Sequence, residues 1–249
     1  IKFMSLVSII IPYYKKKLYI EEAINSAIGQ TFQDIEIIIV FDDPEGNDLP
    51  YIKKISKKDE RIKLIVNDKN IGAGNSRNIG ILRSSGQYIA FLDSDDLWSN
   101  NKIETQLKFM RDNKSNFSHT SYEVLNKDLK LNIRKARNFD HLRDLLKSCD
   151  IGLSTVMLKK ELITSECQFS DMSTKEDFVL WLKLLKSGIR IQGIDSTLST
   201  WRETDDSLSS SINQKMKDGF NVYYKHMNFN FFKSLFYLIC LSVNYIKKS

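Results

Sequence analysis

The chain has 249 residues, 42% of them hydrophobic and 27% charged, which fits one sizeable core or two fused halves and excludes a disordered polypeptide. Lysine and arginine outnumber aspartate and glutamate by 37 to 31, a balance that favours phosphate-bearing ligands or an anionic membrane surface without choosing between them. Three cysteines, Cys149, Cys167 and Cys240, lie far apart and in no CxxC spacing, so neither a disulfide framework nor a zinc site is expected and a reducing, cytoplasmic compartment fits best.

Leu6 to Ile11 is too short and wrongly flanked for a signal peptide and reads as a buried strand, so no export is expected. Similar apolar runs follow at Ile35 to Val40, Ile62 to Val66 and Tyr88 to Leu92, separated by stretches of helical spacing. In the first stretch Leu18, Ala23, Ile24, Ala27 and Ile28 fall near helical spacing, Glu21 and Glu22 fall in the early turns, where the helix dipole favours acids, and Gly29 ends the helix. Alternating β and α segments predict a mostly parallel sheet covered on both faces. Ligands bind such sheets at the carboxyl ends of the strands, which selects Tyr13 and Tyr14, Asp42 and Asp43, Asn67 and Asp68, and Asp93 to Asp96.

After Trp98 the rhythm weakens. Asn101 to Asn113 reads as helix, Phe117 to Val124 as strand, Asp140 to Lys147 as helix and Ser154 to Leu158 as strand, a second half that completes the sheet. Glu176 and Asp177 open an amphipathic segment whose buried stripe is Phe178, Trp181, Leu182, Leu184 and Leu185. From Lys215 onward there are six lysines against Asp218 alone. Phe229 to Ile246 is rich in Phe, Leu, Ile and Tyr but interrupted by Asn230, Lys233, Ser234, Ser242 and Asn244, short of the roughly 20 apolar residues of a membrane span. Two readings stand for it: a helix lying on an anionic leaflet, or one packing on the protein or on a homodimer partner.

Two constellations carry chemistry. Ala90-Phe91-Leu92-Asp93-Ser94-Asp95-Asp96 delivers an Asp-x-Asp into a loop, where two carboxylates can hold Mg²⁺ or Mn²⁺ and bridge it to a diphosphate; alone, such a pattern is more often a solvated acidic turn. Asn70 to Gly80 is a glycine-bearing turn entering a helix, with Arg77 able to offer paired donors to a diphosphate. A dinucleotide fingerprint would need another glycine where Arg77 stands. His119, His141 and His226 have no ligand spacing, no Gly-x-Ser-x-Gly is present, and no basic stripe with interleaved aromatics suggests nucleic-acid binding.

Strand-Pro12-Tyr13-Tyr14, Gln30-Thr31-Phe32, Glu36 to Asp43, Asn70-Ile71-Gly72 with Ser76-Arg77-Asn78, Asp93-Ser94-Asp95-Asp96, and Lys175-Glu176-Asp177 with Trp181 together resemble the ordered motif set of family 2 glycosyltransferases, over roughly residues 5 to 205. The resemblance implies an α/β GT-A fold: a central, mostly parallel twisted sheet flanked by helices, with a Rossmann-like donor half over 1–98, an acceptor half over 99–205 and a basic, aromatic-rich helical tail over 206–249. It implies an inverting, hexosyltransferase-type enzyme that takes a nucleoside-diphosphate sugar, often UDP-linked, to a glycan acceptor, with a lipid-linked acceptor at the inner face of the plasma membrane suiting the tail. On the same mapping Pro12, Tyr13, Tyr14, Asp42, Asp43, Arg77, Asp93 and Ser94 would bind the donor, with Tyr13 or Tyr14 flanking the base and Asp43 on the uracil imide. Asp95, with Asp93, would hold Mn²⁺ or Mg²⁺. Asp177 would be the base required for direct displacement, and Glu176 and Trp181 would hold the acceptor, although Glu176-Asp177 read alone also fits helix capping.

The chain departs from that pattern in three places. Asp42-Asp43-Pro44-Glu45-Gly46 replaces the usual Asp-Asp-Gly-Ser turn, Lys15 stands where asparagine is usual, and Thr204 replaces a late histidine. These departures motivate a competing reading, a non-catalytic module of the same fold. A nucleotidyltransferase would carry a glycine-rich loop after the first strand, and Pro12-Tyr13-Tyr14-Lys15 has none.

Overall fold

In the computed structural model, residues 7–126, 129–203 and 212–246 are described; Thr204 lies outside them. The runs of β-branched residues become strands β1 (Val7–Tyr13) and β2 (Ile35–Phe41), buried along their whole length. Such a run cannot face water on either side, so it sits inside a parallel sheet with helices on both faces. β3 (Ile62–Val66) and β4 (Tyr88–Phe91) flank them in the order β3-β2-β1-β4, all parallel.

The second half continues the same sheet rather than starting another. After β5 (Leu97–Trp98) come β6 (Phe117–Asn126), β7 (Leu129–Arg134), β8 (Met157–Lys159) and β9 (Gln192–Glu203). β8 joins antiparallel to β4, and the order runs on through β6 and β9 to β5, with β7 paired on β6. Residues alternate between faces along a strand. Val7, Ile9, Ile11 and Tyr13 therefore pack with helices α1 (Lys17–Ile28), α2 (Leu49–Ile55) and α4 (Lys102–Asp112), in one core. Ile10, Ile38, Val40 and Phe91 pack with α3 (Ala73–Arg83) and α6 (Glu176–Lys186) in the other, which the short α5 (Leu142–Leu145) also joins. Gly80 allows α3 its approach, since a Cβ there would stand 2.6 Å from Ile10 Cγ2. Helices α7 (Ile212–Asn221) and α8 (Phe231–Ile246) close this second face.

Three local expectations are corrected. Glu21 and Glu22 lie beyond the first turn of α1, which holds no acid; Glu21 instead accepts from Tyr51, and Glu22 from Arg202. The helix predicted over Asp140 to Lys147 shrinks to the single turn of α5. Ser154 belongs to a 3-10 turn, Leu153–Thr155, ahead of β8. Gln30, part of the family-like motifs, proves architectural: its amide donates to Ser26 O and Ser99 O and accepts from Ile103 N, locking the end of α1 to the start of α4.

Lys102 is fully buried, its Nζ 2.5 Å from Gln106 Oε1 and 4.1 Å from the Trp98 ring centroid, and burial holds its ammonium well below the usual lysine range. The unfolded chain therefore binds a proton that the folded chain gives up, so this residue costs stability as pH falls below the free-lysine value. Lys102→Met is expected to raise the urea midpoint at neutral pH by the equivalent of about 1 kcal/mol or more; a lower midpoint would contradict this.

Candidate active site

At the carboxyl ends of β1, β2 and β4 the chain surrounds a cavity of about 1330 Å³. Pro12, Tyr14, Lys16, Arg77 and Asp93 to Asp96 are among its lining residues, the start of α6 brings Glu176 and Asp177, the end of β7 brings Arg134 with Lys135 just after it, and β9 adds Trp201 and Arg202. The two carboxylate groups singled out in the sequence thus face one space, although they lie on opposite halves of the chain.

Arg77 connects them. Its side chain is 5% exposed, with one terminal nitrogen 2.7 Å from Asp93 Oδ1 and the other 2.6 Å from Glu176 Oε1. Burial works against its charge, but the two carboxylates more than offset this and hold the guanidinium above its ordinary value. Arg77, expected from its motif to approach the donor base or diphosphate, lines the cavity and at the same time bridges the Asp93 loop and α6 through its two terminal nitrogens, while its Nε has no hydrogen-bond partner.

Asp42 also lines the cavity, with its carboxylate engaged by the chain itself. Its carboxylate accepts from the backbone N–H groups of Ile71 and Gly72, at 2.9 and 2.8 Å, and from Asn67 Nδ2. It is 2% exposed and holds the turn that opens α3, where Gly72 takes φ 83°. Tyr13 is fully buried, stacked on Phe41 with its hydroxyl donating to Asp48, which leaves Tyr14 as the partly open aromatic of that pair. Trp181, assigned to the acceptor, is 0% exposed and sits edge-on to Phe117 and Phe169 in the core, out of reach of any acceptor. Asp43 is buried beside the cavity, where desolvation raises its carboxyl and Lys15 opposes the rise. A Cβ on Gly46 would overlap its Oδ2, so the altered turn keeps its glycine where the Asp43 side chain folds over. Lys15 adopts φ 51°, a backbone state that asparagine tolerates better.

The Asp93 loop is anionic and crowded. Burial raises the Asp95 carboxyl, Asp93 raises it further, and Lys16 pulls the other way from 3.0 Å. Asp96 accepts from Ser154 Oγ and from the backbone N–H of Arg202, and burial holds it well above the usual range. Lys16, Ser154, Arg202 and Asp96 were given no role from sequence: Lys16 and Asp96 adjoin motif residues, whereas Ser154 comes from a stretch read as plain strand. Among the described residues no group of three His, Cys, Asp or Glu side chains is arranged to hold a metal alone. Two carboxylates crowded into one loop, Asp93 and Asp95, do suit a hard dication that completes its shell with phosphate oxygens and water.

Asp177 is the second residue of α6, which begins after Lys175, whose φ is 64°. Its Oδ1 accepts from Phe178 N at 2.7 Å. Burial raises its pKa and the Glu176 charge adds to this, while Arg77 lowers it, leaving a value of about 7. A carboxylate poised there takes a proton at neutral pH and can return it. The loop before it is anchored by Thr174, whose N–H and hydroxyl both donate to Asp218 of α7.

The model of the family described as Glycosyl transferase family 2 matches residues 8–159. The putative teichuronic acid biosynthesis glycosyltransferase TuaG of Bacillus subtilis (strain 168) is 33% identical over 248 residues, 98% of this chain and 97% of that protein. The UDP-Glc:alpha-D-GlcNAc-diphosphoundecaprenol beta-1,3-glucosyltransferase WfgD of Escherichia coli is 35% identical, over 87% of this chain and 85% of its own. Among solved structures, S. aureus TarS 1-349 in complex with UDP-GlcNAc superposes with a TM-score of 0.74 at 19% identity, covering 88% of this chain and 65% of that one.

Replacing Arg77 by alanine would leave the Glu176 and Asp93 charges facing each other with no cation between them. Arg77→Ala is expected to cost about 3 kcal/mol of stability, read as a lower urea midpoint; an unchanged midpoint would show that these carboxylates hydrate without it.

Proposed function

Glycosyl transferase family 2 is the family to which this chain belongs, with the GT-A fold, and from that premise we propose an inverting transfer from a UDP-linked sugar to a hydroxyl of a lipid-linked glycan. The chain is a glycosyltransferase, and its relatives are named for surface polysaccharide synthesis. The donor reading is supported by the names of WfgD, which include UDP-Glc, and of TarS, solved with UDP-GlcNAc. The diphosphoundecaprenol in the name of WfgD supports a lipid-borne acceptor.

The observation that carries the mechanism is the placement of Asp177, at a pKa of about 7, in the cavity that also holds Asp93 and Asp95. Residues 1–98 bind the donor in this proposal, with the base between Tyr14 and Asp43 and with Pro12 and Ser94 shaping its pocket. Residues 99–205 receive the acceptor beside Glu176. Asp177 takes the proton of the acceptor hydroxyl as its oxygen attacks the anomeric carbon opposite the diphosphate. The bond from that carbon to the phosphate oxygen breaks, and its electron pair leaves with the diphosphate. Asp95, with Asp93, would hold Mn²⁺ or Mg²⁺, which when bound supplies charge neutralisation at the leaving group. Arg77 keeps the Asp93 loop and the Asp177 helix in register.

A non-catalytic module is the competing reading, favoured by the Lys16 ammonium already seated on Asp95. Calorimetric titration with UDP, with and without Mn²⁺, separates the two when paired with a transfer assay. Asp95→Asn is expected to abolish Mn²⁺-dependent UDP binding, and Asp177→Asn to retain it while transfer falls by about 10²- to 10⁴-fold. Wild-type chain that binds UDP but transfers no sugar to any lipid-linked acceptor would favour the module.

A further inference from the structure

Fourteen large hydrophobic side chains are exposed among the described residues, and nine of them fall between Met216 and Tyr245. Scattered singly such residues need no explanation, but a contiguous patch does. The patch centres on α8, whose inner face, Ser234, Leu238 and Leu241, is buried against the protein. Its outer face is equally apolar: Phe231, Phe232, Leu235, Phe236, Ile239 and Val243 are 39 to 81% exposed. Their spacing of three and four residues places them in one stripe along the helix.

The surroundings indicate what covers this stripe. Lys217, Lys225 and Lys233 are exposed around it, and Lys247 and Lys248 follow in the sequence. The lone acid of the region, Asp218, is buried and committed to Thr174 and Gln214. A second copy seated on the stripe would set two lysine-rimmed, acid-poor faces against each other, which like-charge repulsion opposes. An anionic bilayer meets both the apolar stripe and the lysines. The 16 residues of α8 reach about 24 Å, and among the described residues no helix is long and apolar enough to cross a membrane. The helix is thus suited to lying in the interface.

Position ties the stripe to the cavity. Tyr245, in the last turn of α8, lines the cavity beneath the Lys215 ammonium, and Asn244 donates to Lys147 O close to the lining residues Cys149 and Asp150. α7, against which α8 packs, holds the loop before Asp177 through Asp218.

We propose that the outer face of α8 docks on an anionic lipid bilayer, with the stripe in the headgroup layer and the mouth of the cavity at the membrane surface. A lipid-borne acceptor then meets Asp177 without leaving the bilayer. This last step rests on the acceptor reading above, whereas the docking rests on α8 alone.

The test is co-sedimentation with vesicles of phosphatidylglycerol and phosphatidylcholine, and with phosphatidylcholine alone, for the wild type and for Phe232→Ser/Phe236→Ser/Ile239→Ser. UDP titration of the same samples reports on the donor site, and light scattering without vesicles reports the oligomeric state. Wild-type binding to the anionic vesicles that falls about tenfold or more in the variant, with UDP affinity and mass unchanged, is the expected result. No retention of the wild type, or equal retention of the variant, overturns the proposal. A dimer that the variant dissolves also overturns it, by assigning the stripe to a second copy. UDP binding that fails while vesicle binding persists would count against the donor reading and leave the docking intact.

Discussion

An arginine cannot be desolvated alone, and at Arg77 this constraint organises the catalytic end of the fold. A guanidinium 5% exposed needs anions on both sides, and it finds Asp93 from the end of β4 and Glu176 from the start of α6. Those partners come from the two halves of the chain, which the antiparallel pairing of β4 with β8 also joins. Removing the cation would both loosen the seam and release two charges beside the base. The register of the Asp93 loop and α6 therefore depends on one residue, which also lowers the proton affinity that burial and Glu176 raise at Asp177.

The supporting contacts follow the same logic of satisfying buried charge with fixed partners. Asp42 is spent on the backbone of the Gly72 turn, which sets the first turn of α3 and so the height of Arg77. Asp96 is spent on Ser154 and the Arg202 backbone, tying the Asp93 loop to β9. Asp218 is spent on Thr174, fixing the approach to α6 from the tail. Asp95, paired with Lys16, and Asp177 line the cavity, where the proposed mechanism has one hold a cation and the other take a proton.

Much of this was legible in the sequence, for reasons that are local. β1 and β2 are β-branched runs whose burial on both faces leaves no alternative, and the Asp-x-Asp and Glu-Asp pairs stand at element ends where strand and helix termini must present them. Roles set by distant partners were not legible. Arg77 and Glu176 are 99 residues apart, so nothing near Arg77 indicated that it would bridge two carboxylates. Trp181 shared the helical spacing of its apolar neighbours, and that spacing, rather than its place in a motif, described where it went. Tyr13 and Tyr14 are adjacent, yet Tyr13 ends β1 fully buried and Tyr14, just past the strand, is half-buried at the cavity, a difference their shared motif did not carry. Ser154 lay in a stretch read as strand and found its role only through the turn that replaced it.

The central claim is that Asp177 is a base whose proton affinity is set by burial, by Glu176 and by Arg77. It is tested most directly by the acid limb of kcat/KM for sugar transfer, which reports the ionisation of the free enzyme. With Asp177 required as carboxylate, the rate should rise with pH through about 7 in the wild type. In Glu176→Gln the limb should move to lower pH, because the neighbouring negative charge that raises Asp177 is gone. A wild-type limb in the ordinary aspartate range, or a limb that Glu176→Gln leaves in place, would contradict the account.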